Sequence, residues 1–392
     1  MRFRGPAFVL LIFFLMSMTG LQINEVQALP TYSETPIVTT AEPYQPVSAP
    51  ASQEIITVES AIEVPKLNFT AVGDIMLGRS VGKRLEKAGS YKYAFSDVED
   101  ILKQGDIVFA NLESPLTAST HGLSKDKKIV LKGSPDAIEA IITGGFNLLS
   151  LSNNHMLDYY DTGLYDTVSL LEKNGIAHSG AGKNIEEAGK PALIEKNGYK
   201  IGLLSYTDMA NYIYEGEPRI SFAAGDNKAG VIPRDYEAAR QAIASLRGSV
   251  DLLVVSLHWG IEESFTIAPE QVDFARKLLD DGADMILGHH PHQFQGIEIY
   301  KGKPILYSMG NFMFDQNDPE NMETFIIEMH YEGKNLKSLV AKPVRIVDKS
   351  RAELQTGSSA QSILTREAGL CEQLGSTPKI DGDTLVFTTD VK

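Results

Sequence analysis

The chain has 392 residues, 43% of them hydrophobic, and a formal net charge of −15. That length makes one large domain or two smaller ones with a real core. The excess of acid excludes sequence-independent nucleic-acid binding, which needs a basic surface, and no nucleic-acid partner is expected.

Arg2 and Arg4 precede an apolar stretch from Ala7 to Met18, and Val26-Gln27-Ala28 resembles a small-residue cleavage site. The stretch is shorter than the roughly 20 apolar residues of a membrane-spanning helix. Residues 1–28 are therefore expected to export the chain, as a cleaved signal peptide or as an N-terminal membrane anchor. No cysteine follows the stretch closely, which excludes a lipoprotein anchor. The only cysteine is Cys371, so no intrachain disulfide forms and the fold rests on its core. Residues 29–65 are rich in Pro, Thr, Ser, Ala and Glu, without hydrophobic periodicity, and read as a disordered or extended linker.

From Lys66 the pattern changes. LNFTAV (67–72), DIVFA (106–110), FNLLSLS (146–152), KIGLLSY (200–206), DLLVVSL (251–257), ADMILG (283–288) and KPILYSM (303–309) read as strands. Asn197-Gly198, just before the fourth, is a hairpin signal. Helices are expected over 162–174, 234–247 and 269–281, with Pro233 and Pro269 near two of their starts. Strands alternating with helices indicate an α/β fold. Near-continuous apolar strands fit sheets covered on both faces. Strands at 304–309, 322–331 and 336–347 follow one another without helices, so the sheets are expected to be mixed. A domain over 66–348 results. Residues 349–392, with a helix-like 361–374 and a strand-like 384–389, are expected as a peripheral extension.

Metal-capable side chains stand just beyond the C-terminal ends of successive strands: Asp74, Asn111 and Glu113, Asn154 and His155, His258, and His290 and His292. In open α/β sheets ligand sites collect at that edge. GHHPHQFQG (288–296) holds three of the eight histidines within four positions. Alternating residues of an extended segment share a face, which pairs His290 with His292. Each residue also has a plain structural reading. Asp74 could cap a helix beginning near Met76, Glu113 could be a solvated loop charge, and Asn154 could make an Asx turn. His258-Trp259-Gly260 could be a packed corner, and Asp158 and Asp161 are assigned to the cap of the next helix. The convergence favours a common site. Carboxylates, an amide oxygen and imidazoles suit Mn, Fe or Zn, and the lack of thiolate argues against a structural zinc site. A pair of such ions activates a bridging water and stabilises a transferring phosphoryl group, while a nearby His protonates the leaving group.

GDIMLGR (73–79), NLESPLT (111–117), SNNHMLD (152–158), HWGIE (258–262), GHHPHQFQGIE (288–298) and YSMGNF (307–312) resemble the CapA family, the poly-γ-glutamate capsule biosynthesis proteins also called PgsA. The resemblance runs through about 66–345. That family is related to calcineurin-like metallophosphoesterases, so the resemblance implies a four-layer α/β/β/α sandwich of two mixed sheets with one or two divalent ions. It implies Asp74 as the first-strand aspartate, Glu113 as the bridging carboxylate with Asn111 beside it, and Asn154 as a ligand. His155 becomes the histidine that contacts the scissile group, so Asn154 and His155 are the catalytic candidates. His258, His290 and His292 become further ligands, with His289 flanking them and Asn311 behind them. Two departures stand out. The superfamily's first motif is Asp-x-His, and here the third position is Met76. Its second is usually Gly-Asp with a further carboxylate, and here it reads Asn-Leu-Glu. One metal, two metals in altered geometry, and lost hydrolysis all remain open readings.

The resemblance implies an exported protein that assists synthesis, transport or attachment of poly-γ-glutamate or a similar anionic polymer, beside membrane subunits of a capsule synthase. The alternatives are a metal-dependent phosphoester hydrolase and a non-catalytic binding component of a membrane-associated synthase. Arg79, Lys83 and Arg84 either hold an anionic chain or form a solvated helix face.

Overall fold

A computed structural model describes residues 64–123, 127–211, 213–214 and 220–388. The expected export segment, and the expected linker up to residue 63, lie outside the described residues.

Two large sheets carry the domain. The larger is centred on Lys66–Ile75, which pairs in parallel with Ile107–Leu112 and antiparallel with Glu323–Glu332. Leu148–Ser150 and Ala177–Ser179 extend it on one side, and Asn335–Val347, Thr384–Thr388 and Lys379–Asp381 on the other. The second sheet runs Ile297–Tyr300, Lys303–Leu306, Met285–His289, Leu252–His258, Tyr199–Thr207 and Ala192–Lys196. Both are mixed, as the uninterrupted run of late strands predicts. Lys196 pairs with Tyr199 across Asn197 and Gly198, whose φ values of 50° and 81° make the two-residue hairpin turn the sequence signals.

Three hydrophobic cores follow from the strand patterns. Val72, Val108 and Leu149 pack with Val81, Leu85, Ile141 and Leu164 from helices on the outer face of the large sheet. Phe69, Phe109 and Leu148 face Leu203, Val254 and Leu287 of the second sheet. Leu253, Val255 and Ile286 on that sheet's far face bury Ile243 and Leu278 from the helices Tyr236–Leu246 and Pro269–Asp280. The first of these helices is capped by Asp235, whose side chain accepts from the Ala238 N–H at 2.8 Å, and the second begins on Pro269. The helix Tyr160–Lys173 covers the stretch expected over 162–174.

The residues after 349 supply the large sheet's outermost strands. Their helix, Gly357–Gln373, is not merely peripheral: Ala360, Ile363, Leu364 and Cys371 join the core between the sheets. Among the described residues, no helix is long and apolar enough to cross a membrane.

Register is what positions the site. A bulge between Ala71 and Asp74 leaves Asp74 level with Asn111 on one side and with Asn311, of the short strand Asn311–Met313, on the other. In the second sheet His258 stands level with His289 on one side and Thr207 on the other.

Candidate metal centre

Two close backbone approaches bring these rows together. A Cβ on Gly73 would sit 2.0 Å from the Gly310 carbonyl oxygen, and one on Gly288 would sit 1.9 Å from that of Tyr307. Both positions therefore accept only glycine. The strand ends at His289, and His290 and His292 have φ values of 98° and 60°. Contrary to what the spacing predicts, these two imidazoles thus do not share the face of an extended segment. A left-handed turn aims them instead, and such backbone strain persists where the surroundings over-determine it. Their ring centroids are 6.3 Å apart, and His290 lies 4.8 Å from His258.

Asp74 and Glu113 are fully buried. The Asp74 Oδ1 accepts from His289 Nδ1–H at 2.8 Å and from Asn111 Nδ2 at 2.9 Å. Asn111 also donates to Glu113 Oε2 at 3.2 Å. The Asn111 Oδ1 accepts from Asn153, and the Asn153 Oδ1 accepts the backbone N–H of His155 at 3.0 Å. His258 Nε2 donates to Asn154 Oδ1 at 2.8 Å, which ties the two sheets together. His292 donates its Nδ1–H to Asn311 Oδ1 at 2.9 Å, so its Nε2 carries the free lone pair.

Burial raises the Asp74 carboxyl, but the His289 hydrogen bond, the His289 and His292 charges and the Asn111 hydrogen bond outweigh it and leave it below the ordinary range. Burial, and then the Asp74 charge, push Glu113 well above its ordinary value. Burial holds His258 well below, and pushes His290 down to about 3. The imidazoles of His258 and His290 are therefore neutral near pH 7, the form that ligates metal.

Among the described residues of this cluster, three buried polar atoms have no hydrogen-bond partner: Glu113 Oε1, His289 Nε2 and His290 Nδ1. Glu113 Oε1 lies 3.9 Å from His258 Nε2 and 4.0 Å from His292 Nε2, and Asp74 Oδ2 lies 3.8 Å from His292 Nδ1. These separations exceed hydrogen bonds. The separation between Glu113 Oε1 and His292 Nε2, two atoms that each keep a free lone pair, falls inside the limit of about 4.2 Å for two atoms each about 2.1 Å from one ion. Asp74, Glu113 and His292 each offer a ligand atom, all within 4.8 Å of one another. The donor set fits a divalent cation.

Beside this cluster, His155 donates its Nδ1–H to Asp158 Oδ2 at 2.6 Å. Asp158 also accepts from Lys127 Nζ at 2.5 Å and from the Leu131 N–H at 2.6 Å. Lys127 donates as well to the Asn154 carbonyl, whose residue it thereby anchors. Burial, then the Lys127 charge, lower His155 to about 4. Burial also lowers the Lys127 ammonium, although Asp158 opposes the shift.

The structure brings Asp74, Glu113, Asn154, His258, His290 and His292 to one place, with Asn111 and Asn311 bonded to them. The helix after the first strand begins only at Arg79, so Asp74 caps nothing. Asn153, not Asn154, makes the Asx-type bond to the backbone two residues on. Asp158 is not a helix cap: Tyr159 occupies that position, and Asp158 is wholly buried against His155 and Lys127. Trp259 is core, with its indole N–H donating to the Tyr307 carbonyl at 2.9 Å. Met76 packs in the helix-side core, where its Sδ accepts from the Gly78 N–H at 3.1 Å. Sequence reasoning missed Lys127, Asn153 and the reach of His289 to Asp74. The three-residue spacing of His155 and Asp158 in SNNHMLD was a usable signal for their pairing. Lys127, in a run of four charged residues, offered none.

The family described as "Bacterial capsule synthesis protein PGA_cap" matches residues 68–316. The PGA biosynthesis protein CapA of Bacillus subtilis is 32% identical over 83% of this chain and 83% of its own length. The capsule biosynthesis protein CapA of Bacillus anthracis is 33% identical over 74% of this chain and 69% of its own. A probable polyglutamine synthesis accessory protein of Mycobacterium tuberculosis is 32% identical over 74% of this chain and 79% of its own.

Proposed function

Because the chain belongs to the PGA_cap family of bacterial capsule synthesis proteins, we propose that it is an exported accessory protein of capsule polymer biosynthesis. It acts on poly-γ-glutamate or a similar anionic chain through a divalent-metal centre. It works beside the membrane subunits of a synthase, secreted or held at the membrane by its N-terminus. The three stacked cores support reading the domain as the α/β/β/α sandwich of the metallophosphoesterases. The observation that carries the metal reading is the orphaned, fully buried Glu113 Oε1, facing His258 and His292 near 4 Å.

Asp74, Glu113, Asn154, His258, His290 and His292 would hold the metal, Mn, Fe or Zn, as one ion or two. When bound, it supplies Lewis acidity toward a phosphoryl or carbonyl oxygen and a low-pKa water. The chain does the rest. His289 and Asn111 fix the Asp74 carboxylate, and Asn311 turns His292 so that Nε2 faces Glu113. Asp158 holds His155 in the tautomer whose Nε2 is free to meet a reacting group. That last bond favours phosphoester hydrolysis as the second reading, since a purely structural metal needs no oriented imidazole beside it.

The test supplies this chain, and its Glu113→Gln/His292→Ala variant, to Bacillus subtilis lacking its PGA biosynthesis protein CapA, and measures surface polyglutamate. Restoration by the chain and not by the variant is expected. Restoration by both would favour a non-catalytic binding component. Restoration by neither, with the chain present at the surface, would oppose the reading.

A further inference from the structure

A cavity of about 410 Å³ opens where the helix Arg79–Ala88 begins, lined among others by Gly78, Arg79, Lys83, Thr117, Lys132 and Ser134. Three cationic side chains share it. Arg79 has a φ of 48°, a conformation that costs a non-glycine residue about 1 kcal/mol or more. Its backbone is held there by the next residue: the Ser80 N–H donates to Asp315 Oδ2 at 3.1 Å. The Arg79 Nε lies 3.3 Å from the same oxygen, and the side chain stays 45% exposed. Lys83 is exposed and has no ion-pair partner among the described residues. The Lys132 Nζ donates to the Ser119 carbonyl at 2.9 Å and lies 5.1 Å above the Tyr159 ring. The one acid in the wall, Glu86, accepts from the Tyr91 hydroxyl at 3.0 Å. The helix has no acidic residue in its first turn and no side-chain cap, so its positive end adds to the field.

The cavity adjoins the metal centre through two chain segments and one contact. Gly78 follows Asp74 by four residues, and Thr117 follows Glu113 by four. Asp315, which faces Arg79, is next to Phe314, whose ring lies 4.9 Å from that of His292. A chain with a net charge of −15 does not draw a polyanion by its overall field, so local cations must hold one. A single phosphate calls for converging, bidentate donors. Cations spread around a wide cavity match charges spread along a polymer instead.

We propose that this cavity is a subsite for the carboxylates of a polyanionic chain whose neighbouring segment lies at the metal centre. The proposal rests on the polymer reading above. The segment GDIMLGR thus serves both parts, with Asp74 at one end and Arg79 at the other.

The test is equilibrium binding of a fluorescent short oligo-γ-glutamate to the purified chain and to its Lys83→Glu/Lys132→Gln variant, with inorganic phosphate titrated in parallel. Binding that weakens with salt and falls about tenfold in the variant is expected, the size for losing two partly exposed charge contacts. Lys83→Glu alone, on an exposed helix face, must lower affinity in the same direction, which guards against misfolding of the double variant. Equal binding by all three proteins would overturn the subsite and leave the polymer reading standing. No binding by the unaltered chain would overturn both. Phosphate bound as tightly as the oligomer, and lost in the variant, would make this a phosphate site and overturn the carboxylate assignment.

Discussion

Asp74 and His289 are 215 positions apart in the chain, and their Oδ1 and Nδ1 atoms meet at 2.8 Å. One is the next-to-last residue of a central strand of the larger sheet and the other closes a strand of the second. Neither atom is exposed. The bond fixes the carboxylate that the proposed metal centre would use.

His289→Ala is therefore predicted to weaken metal binding about 10–100-fold, the usual effect of removing a group that orients a ligand. His289→Gln, whose amide can still donate to Asp74, should retain more affinity than His289→Ala. Metal titration followed by melting temperature measures both, and equal affinity in all three proteins would refute the assignment.

Glu113 and Asp74 crowd two buried carboxyl groups with one acceptor atom unpartnered. Glu113→Gln removes that crowding. The metal-free variant should melt about 2 °C higher than the unaltered protein. It should also lose the rise in melting temperature that added metal gives. A variant that keeps that rise would show that Glu113 is not a ligand.

Asp158→Ala leaves Lys127 buried without its carboxylate and frees His155 to rotate. Breaking a buried pair in this way costs about 3–5 kcal/mol. Denaturant unfolding should show that loss. Asp158→Asn, which still accepts from Lys127, should be milder in stability but lower any phosphoester turnover about 100-fold with unchanged metal content.

Glu367 gives the pH prediction. Burial raises its carboxyl from 4.5 to about 8, against the opposing pull of Arg366. Its Oε2 has no partner, and Arg366 is shared with Glu323. Below pH 4.5 both folded and unfolded chains hold this proton. Between pH 4.5 and about 8 only the folded chain holds it, so stability falls as pH rises through that window. Glu367→Gln should flatten the fall and leave the variant the more stable protein near pH 8. Parallel pH–stability curves for the two proteins would contradict this.

The strands and their polar ends were legible because strand runs are local and metal-capable residues follow them at once. Asp74, Asn111, His258 and His289 are brought together by register, which a strand's own residues specify. The turn at His290 and His292 was not legible, because positive φ values are uncommon for residues other than glycine and nothing in the neighbouring sequence signals them. Lys127 was not legible either: nothing in its neighbours distinguishes it from a solvated lysine until Asp158 and the Asn154 carbonyl surround it. The helix expected over 361–374, which runs Gly357–Gln373, read as peripheral for a similar reason. Its apolar positions are few, and their value lies in the core they enter.

The account stands on metal held by Asp74, Glu113 and His292. The most direct measurement is bound metal per chain by elemental mass spectrometry, for the purified protein and its Glu113→Ala/His292→Ala variant, after exchange into metal-free buffer. The account predicts one or two ions of Mn, Fe or Zn in the protein and none in the variant. Absence of metal, with a melting temperature that added Mn, Fe or Zn does not move, would contradict it, as would metal retained in the variant.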